Sequence, residues 1–197
     1  MGPCLVTVSC SSAMASDIVQ GVIEVQRLIG RPPVIVGGLA VLARLPNPYR
    51  ATVDLDVVDR LYASAHAWAN DTATDMTIEV IRRNGDHVEV TTPVAEPGQL
   101  IAMKLQAIMN RSVEKQGTDL RDIVNLTFDS ATRPVALAQI GAVAPAMASD
   151  IALHVDLWFV HKRQQALRWI GAVGGVDVTA DDLGLVAELL GAAARRD

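Results

Sequence analysis

The chain has 197 residues, half of them apolar and a fifth charged, and a formal net charge of −5. That length and apolar content can bury a sizeable core in one domain or two small lobes, whereas the acidic balance excludes a protein that coats nucleic acid through a generally basic surface. No run of eighteen uncharged apolar residues occurs, which excludes a membrane-spanning helix, and the two cysteines, Cys4 and Cys10, are too few for a disulfide framework and lack the companions of a zinc site.

The opening residues, MGPCLVTVSCSSA, lack the positive segment of a secretory signal. The expectation is a cytoplasmic protein in which residues 1–15 form a flexible leader, with Met14, just ahead of the helix cap Ser16-Asp17, as an alternative start. Ser16 to Ile29 then carries Ile18, Val22, Val25 and Ile29 at helical spacing, and Gly30 with Pro32-Pro33 ends that helix. The β-branched run from Val34 predicts a buried strand, Gly37-Gly38 a tight turn, and LAVLARL a short helix that LPNPY breaks. In TVDLDVV, Val53, Leu55 and Val57 alternate with Thr52, Asp54 and Asp56, the period of a strand with one buried face. Met76 to Ile81 and His87 to Thr91 read as two more strands, joined by the hairpin signal Asn84-Gly85. From Gln99 onward the pattern is helical, over 99–112, 118–128, 134–143, 149–170 and 180–194. The predicted fold class is α+β: a small mixed sheet over residues 16–96, a helical lobe over 97–197, and an active-site cleft between them.

The chemistry starts at Asp54-Leu55-Asp56. Residues two apart on a strand share a face, so both carboxylates emerge together, about 7 Å apart along the backbone. Two like charges so placed call for a hard cation, the arrangement in which Mg²⁺ (or Mn²⁺) bridges the phosphates of a nucleoside triphosphate. Upstream, Gly37 and Gly38 follow a strand and open a helix, where bare backbone amides can approach phosphate and the helix N-terminus favours its charge. Each feature alone has a plainer reading, a solvated strand rim and a simple turn. Together, the stretch GGLAVLARLPNPYRATVDLD resembles motif I of the DNA polymerase β-like nucleotidyltransferases, and the glycine pair, Arg50 and Thr52 resemble the AbiEii/MenT branch, the toxins of bacterial toxin–antitoxin pairs.

A second block, LIAMKLQAIMNRSVEKQGTDLRDIVNL, resembles that family's helical lysine followed by a basic turn and a D-L-x-D helix. Lys104, Arg111 and Lys115 are seven and four apart, which on one continuous helix gives them a shared face. Asp119 and Asp122 are neighbours on the next helix. The bland alternative is a salt-bridged helical hairpin. The third carboxylate usual in the superfamily has no clear aspartate here; Glu79 in MTIEVIR is the candidate, with Glu89 the alternative.

The resemblance implies a toxin nucleotidyltransferase that moves nucleotides from an NTP to RNA, its acceptor the tRNA 3′ end, so that translation stops, with a cognate antitoxin as partner. Asp54, Asp56, Lys104 and Asp122 are then the catalytic set. Asp54, Asp56 and Glu79 hold the metal. Gly37, Gly38, Thr52, Lys104 and Asp119 bind the nucleotide, and Arg44, Arg50, Arg111 and Lys115 meet RNA. Thr52 borders the triphosphate, and a phosphate added there by an antitoxin kinase would repel the substrate. Two readings from other classes stay open: a small-molecule nucleotidyltransferase acting on an antibiotic, and a silent nucleotide-binding module.

Overall fold

The computed structural model describes residues 4–8, 13–46, 56–58, 64–81, 87–174 and 177–195. The chain is α+β and mostly helical. It divides into two compact units, Met1–Glu96 and Pro97–Asp197.

The first unit is built on a mixed sheet. Among the described residues its strands are β1 (Cys4–Val8), β2 (Val34–Val36), β3 (Asp56–Val58), β4 (Thr74–Ile81) and β5 (His87–Val94), ordered β1-β4-β5-β2-β3. The β4–β5 pair is antiparallel, from Thr74↔Val94 to Ile81↔His87; β1 runs parallel to β4, β2 parallel to β5, and β3 antiparallel to β2. Met76, Ile78, Val80, Val90 and Val94 are buried, and α1 (Ala13–Ile29) packs on β4 and β5 with Ile18, Val19 and Val22. Each such aliphatic side chain contributes about 1.5–3 kcal/mol when fully buried. All three residues of β2 are buried, as a β-branched run that leads directly into α2 (Gly37–Arg44) requires.

Three departures from the sequence reading occur here. Cys4–Val8 is no loose leader: its backbone pairs with Met76–Val80 as the sheet's edge strand. Helix α1 begins at Ala13, ahead of the expected Ser16 cap. Helix α3 (Ser64–Thr72) carries no large-apolar stripe and buries only Ala65 and Ala69, so hydrophobic periodicity could not reveal it. The hairpin turn Asn84-Gly85 lies outside the described residues.

In the second unit the helices are α4 (Pro97–Ala107), α5 (Val113–Phe128), α6 (Thr132–Ile140), α7 (Pro145–Val155), α8 (Arg163–Ala172) and α9 (Ala180–Ala194). Helix α4 is buried from Pro97 to Leu105 and packs on α5, α6 and α7. Two glycines mark close approaches between helices. At Gly117 an added Cβ would stand 2.4 Å from the Trp169 carbonyl oxygen, so α5 lies against the α8 backbone. At Gly98 a Cβ would meet Gln139, whose Oε1 accepts a hydrogen bond from the Gly98 amide at 2.9 Å.

The expected helix over 99–112 ends at Ala107, followed by one 3₁₀ turn, Ile108–Asn110, and α5 starts at Val113 instead of Thr118. Ser112, extended at φ −63° and ψ 156°, is the boundary. Thr118 resembles a cap in sequence, but its hydroxyl donates back to the Glu114 carbonyl at 3.1 Å, as a mid-helix threonine does. The expected single helix over 149–170 is interrupted by a π-helical stretch, Asp156–His161, closed by an amide-to-carbonyl bond from Lys162 to Leu157. There the adjacent Trp158 and Phe159 are both buried, and Lys162 Nζ lies 4.9 Å from the Trp158 ring centroid.

Candidate functional site

In the first unit, β2 runs into α2 through Gly37, whose φ of +64° lies in the left-handed region that glycine enters without steric cost. Gly37 and Gly38 form the first turn of α2, with amides that have no intrahelical acceptor. In the sheet register Asp56 stands directly opposite Val36, the residue before Gly37. The glycine turn and the backbone of Asp56 therefore lie at the same end of neighbouring strands. Asp54, Thr52 and Arg50 lie outside the described residues, and Asp56 is described through its backbone.

Two assignments do not survive this geometry. Glu79 was the expected third metal ligand, yet the row through Val57, Ile35 and Val94 reaches β4 at Thr74, five residues from Glu79. That is about 17 Å along the strand, on top of three strand spacings across the sheet, so Glu79 cannot share a cation with Asp56. It sits opposite Glu89, which is equally remote, and its Oε1 lies 2.5 Å from His87 Nδ1. Arg44, expected on RNA, is turned inward with its side chain 12% exposed. Its Nε donates to the Ala95 carbonyl (3.0 Å), and Nη2 donates to the Val94 carbonyl (2.6 Å) and to Thr74 Oγ1 (2.8 Å). Nη2 also pairs with Glu96 at 3.2 Å. A guanidinium so engaged staples α2 to the ends of β4 and β5.

Sequence reasoning missed Glu96. It follows β5 by two residues, at the same end as the glycine turn, and it holds both Arg44 and Thr74. An acid immediately before the helix-opening Pro97 was the available signal. Among the described residues no three His, Cys, Asp or Glu side chains gather to hold a metal ion.

The second unit holds a built ionic cluster. Lys104 Nζ on α4 lies 2.8 Å from Asp119 Oδ1 and 2.7 Å from Asp122 Oδ2, both on α5. All three side chains are nearly removed from water, at 7%, 2% and 0% exposure. The hairpin produces this because Asp119 and Asp122, three apart, share the stripe of α5 that meets α4. Two of the ammonium's three donors are thus engaged by carboxylates. Arg111, in the break between α4 and α5, brings Nη1 to 3.4 Å from Asp119 Oδ2 while staying 39% exposed. The contact is ionic without being a hydrogen bond: Asp119 Oδ2 is buried without a hydrogen-bond partner.

The expected shared face of Lys104, Arg111 and Lys115 is not one helix face, because α4 ends before Arg111. Helical spacing instead sets exposed Lys115 one turn ahead of Asp119 on the same α5 stripe, so the positive charge runs from buried Lys104 through half-exposed Arg111 to the start of α5. Such a series suits a phosphate-bearing ligand at the open end of a hydrogen-bonding pair of carboxylates. Compared with models of protein families, with curated proteins and with solved structures, the chain matches none.

Proposed function

We propose that this protein is a metal-dependent nucleotidyltransferase that transfers nucleotides from an NTP to RNA, with the tRNA 3′ end as acceptor. The observation that carries the reading is the β2–Gly37–α2 turn with Asp56 in register beside it. A left-handed glycine between a buried strand and a helix start has its best chemical use in bringing backbone amides to phosphate. The Lys104–Asp119–Asp122 cluster supports it from the second unit, since a buried ammonium fixed by two carboxylates costs desolvation that packing alone does not need.

In this reading Asp54 and Asp56 hold Mg²⁺, and Glu79 is not among the ligands. The metal supplies charge neutralisation for the triphosphate and for the leaving pyrophosphate. Gly37 and Gly38 offer amides to phosphate oxygens; within the second unit Lys104 keeps one N–H beyond the two carboxylates, and Asp119 and Asp122 hold that ammonium in one place. Lys115 and Arg50 meet the RNA backbone, and Arg111 serves the phosphate that reaches it first, of RNA or of nucleotide. A hydroxyl of the RNA attacks the α-phosphorus, the bond to the bridging oxygen breaks, and pyrophosphate leaves. An antitoxin that phosphorylates Thr52 would set about −1.5 to −2 charges beside Asp54 and repel the triphosphate; intact mass and peptide mapping of the neutralised protein check this, and an unmodified Thr52 removes it.

The deciding experiment incubates the protein with total RNA and each labelled NTP in turn, and then sequences the RNA 3′ ends. Label on RNA with added 3′ nucleotides is expected, and Asp54→Ala should lower transfer on the order of a thousandfold without unfolding the chain. Label on small molecules alone would identify an antibiotic-modifying enzyme, and bound nucleotide without turnover a silent binding module. Near wild-type transfer by folded Asp54→Ala would remove the metal assignment.

A further inference from the structure

Asp119 Oδ2 is the one carboxylate oxygen of the Lys104 cluster that is described as buried and without a hydrogen-bond partner. Its twin Oδ1 is taken by Lys104, so the residue cannot satisfy Oδ2 by turning without breaking the 2.8 Å bond. A buried carboxylate oxygen left without a donor keeps the full cost of having lost its water. The group beside it is Arg111, close enough to balance charge at 3.4 Å but not hydrogen-bonded, and 39% exposed where everything else in the cluster is dry. Formally Lys104, Asp119 and Asp122 are one charge short of neutral, and Arg111 supplies it. The arrangement therefore has a fixed part, the lysine and two aspartates, and a loosely held part, one guanidinium in the break between two helices.

We propose that Arg111 is a movable cover over Asp119, and that Asp119 Oδ2 reads the ligand: when a nucleotide enters, its phosphate draws the guanidinium away and an N–H or O–H of its base or ribose donates to the uncovered oxygen. The proposal rests on the nucleotide reading above and deepens it. Arginine suits the first role because its planar fork pairs as well with phosphate as with carboxylate. An ionised carboxylate suits the second because it only accepts, so a ligand that offers a donor at that point is chosen over one that offers an acceptor. A single buried oxygen without a partner discriminates strongly, since the wrong ligand atom leaves two acceptors facing each other.

Equilibrium binding of ATP, GTP, CTP and UTP to the full chain, with no RNA present, tests this without requiring turnover. Asp119→Asn keeps an acceptor toward Lys104 and puts an N–H₂ where Oδ2 stood, which inverts the hydrogen-bonding sense at one point. It also removes one negative charge, which should tighten all four nucleotides alike, so the readout is the ratio among them. That ratio should change tenfold or more. Arg111→Ala should weaken all four by a similar factor, and Arg111→Lys should restore part of the loss, as a phosphate contact requires. On the wild-type chain the same point is probed from the ligand side, with 2′-deoxy, 3′-deoxy and N-methylated base analogues of the best nucleotide. Removing one particular donor should weaken binding about tenfold, whereas removing the others should not. If every single-donor analogue binds within twofold, or if Asp119→Asn leaves the ratios unchanged in a folded protein, Asp119 does not read the ligand. If the wild-type chain binds none of the four, this inference and the nucleotidyltransferase reading fall together.

Discussion

Lys104 has two carboxylates within 2.8 Å and almost no water, which makes it at once a functional candidate and a structural pin. Lys104→Met should therefore cost about 3–5 kcal/mol of stability, because it strands two buried negative charges. The triple change Lys104→Met, Asp119→Asn, Asp122→Asn removes the ions together and should recover most of that loss. Chemical denaturation of the three proteins checks both steps, and a single variant as stable as wild type would show that the cluster is wetter than its burial indicates. On the proposed reading, transfer should be absent from single and triple variants alike, which separates the chemical role from the structural one. At this scale the sequence was informative where residue type and spacing sufficed: Lys104, Asp119 and Asp122 are within one contact sphere, as a lysine helix followed by a D-L-x-D helix suggests. It misled at Arg44, where charge alone reads as surface while the guanidinium is spent on two carbonyls, a threonine and Glu96.

Between elements, the least forgiving contact is the crossing of α5 and α8 at Gly117. Alanine there would put a methyl 2.4 Å from a backbone oxygen, and backbone at a helix crossing cannot step aside without moving Trp169 and the packing around it. Gly117→Ala should destabilise by about 1–3 kcal/mol, against the gain of a few tenths to 1 kcal/mol that alanine brings to an open helix position. A thermal melt at or above wild type would mean that the helices separate freely. Helix α9 offers a gentler case. Thr179 and Asp182 form a reciprocal capping box, with the Asp182 carboxylate accepting from the Thr179 amide at 2.8 Å and from its hydroxyl. The backbone hydrogen bond, and after it the side-chain one, hold the Asp182 carboxyl below its ordinary value. A lowered folded-state pKa gives stability that is complete above the ordinary carboxylate value and disappears as pH falls through the lowered one. Asp182→Ala should thus cost about 0.3–1 kcal/mol at pH 7, as a solvent-screened capping contact does, and progressively less in acid, and melts from pH 7 down to pH 2 follow the difference. A difference that stays constant with pH would assign the cap to the threonine alone. Helix ends such as this one, with Thr179 three residues before Asp182, are legible in sequence. The end of α4 and the π-helical stretch were not, because both depend on what the turn packs against and leave no trace in periodicity.

For the whole molecule the decisive quantities are order in the sheet and distribution of charge. Strand order β1-β4-β5-β2-β3 could not be read from alternation, which fixes faces and not neighbours, and it is strand order that separates Glu79 from Asp56 despite their matching periodicity. On the proposed reading a chain of net charge −5 would hold RNA locally, and Arg44, paired with Glu96, is left out of the proposed local cations. Arg111 and Lys115, with Arg50 outside the described residues, leave about two to three phosphate contacts, so a plot of log affinity for single-stranded RNA against log salt should have a slope of about −1.4 to −2 at roughly −0.7 per contact. Arg111→Ala and Lys115→Ala should each flatten it by about 0.7 and weaken all RNA sequences alike, while Arg44→Ala should leave the slope unchanged and lower the melting temperature instead. Filter binding between 50 and 300 mM salt measures all three. A slope twice as steep, or one that Arg44→Ala flattens, would place RNA on a different set of cations and would require Arg44 to leave Glu96 when RNA binds.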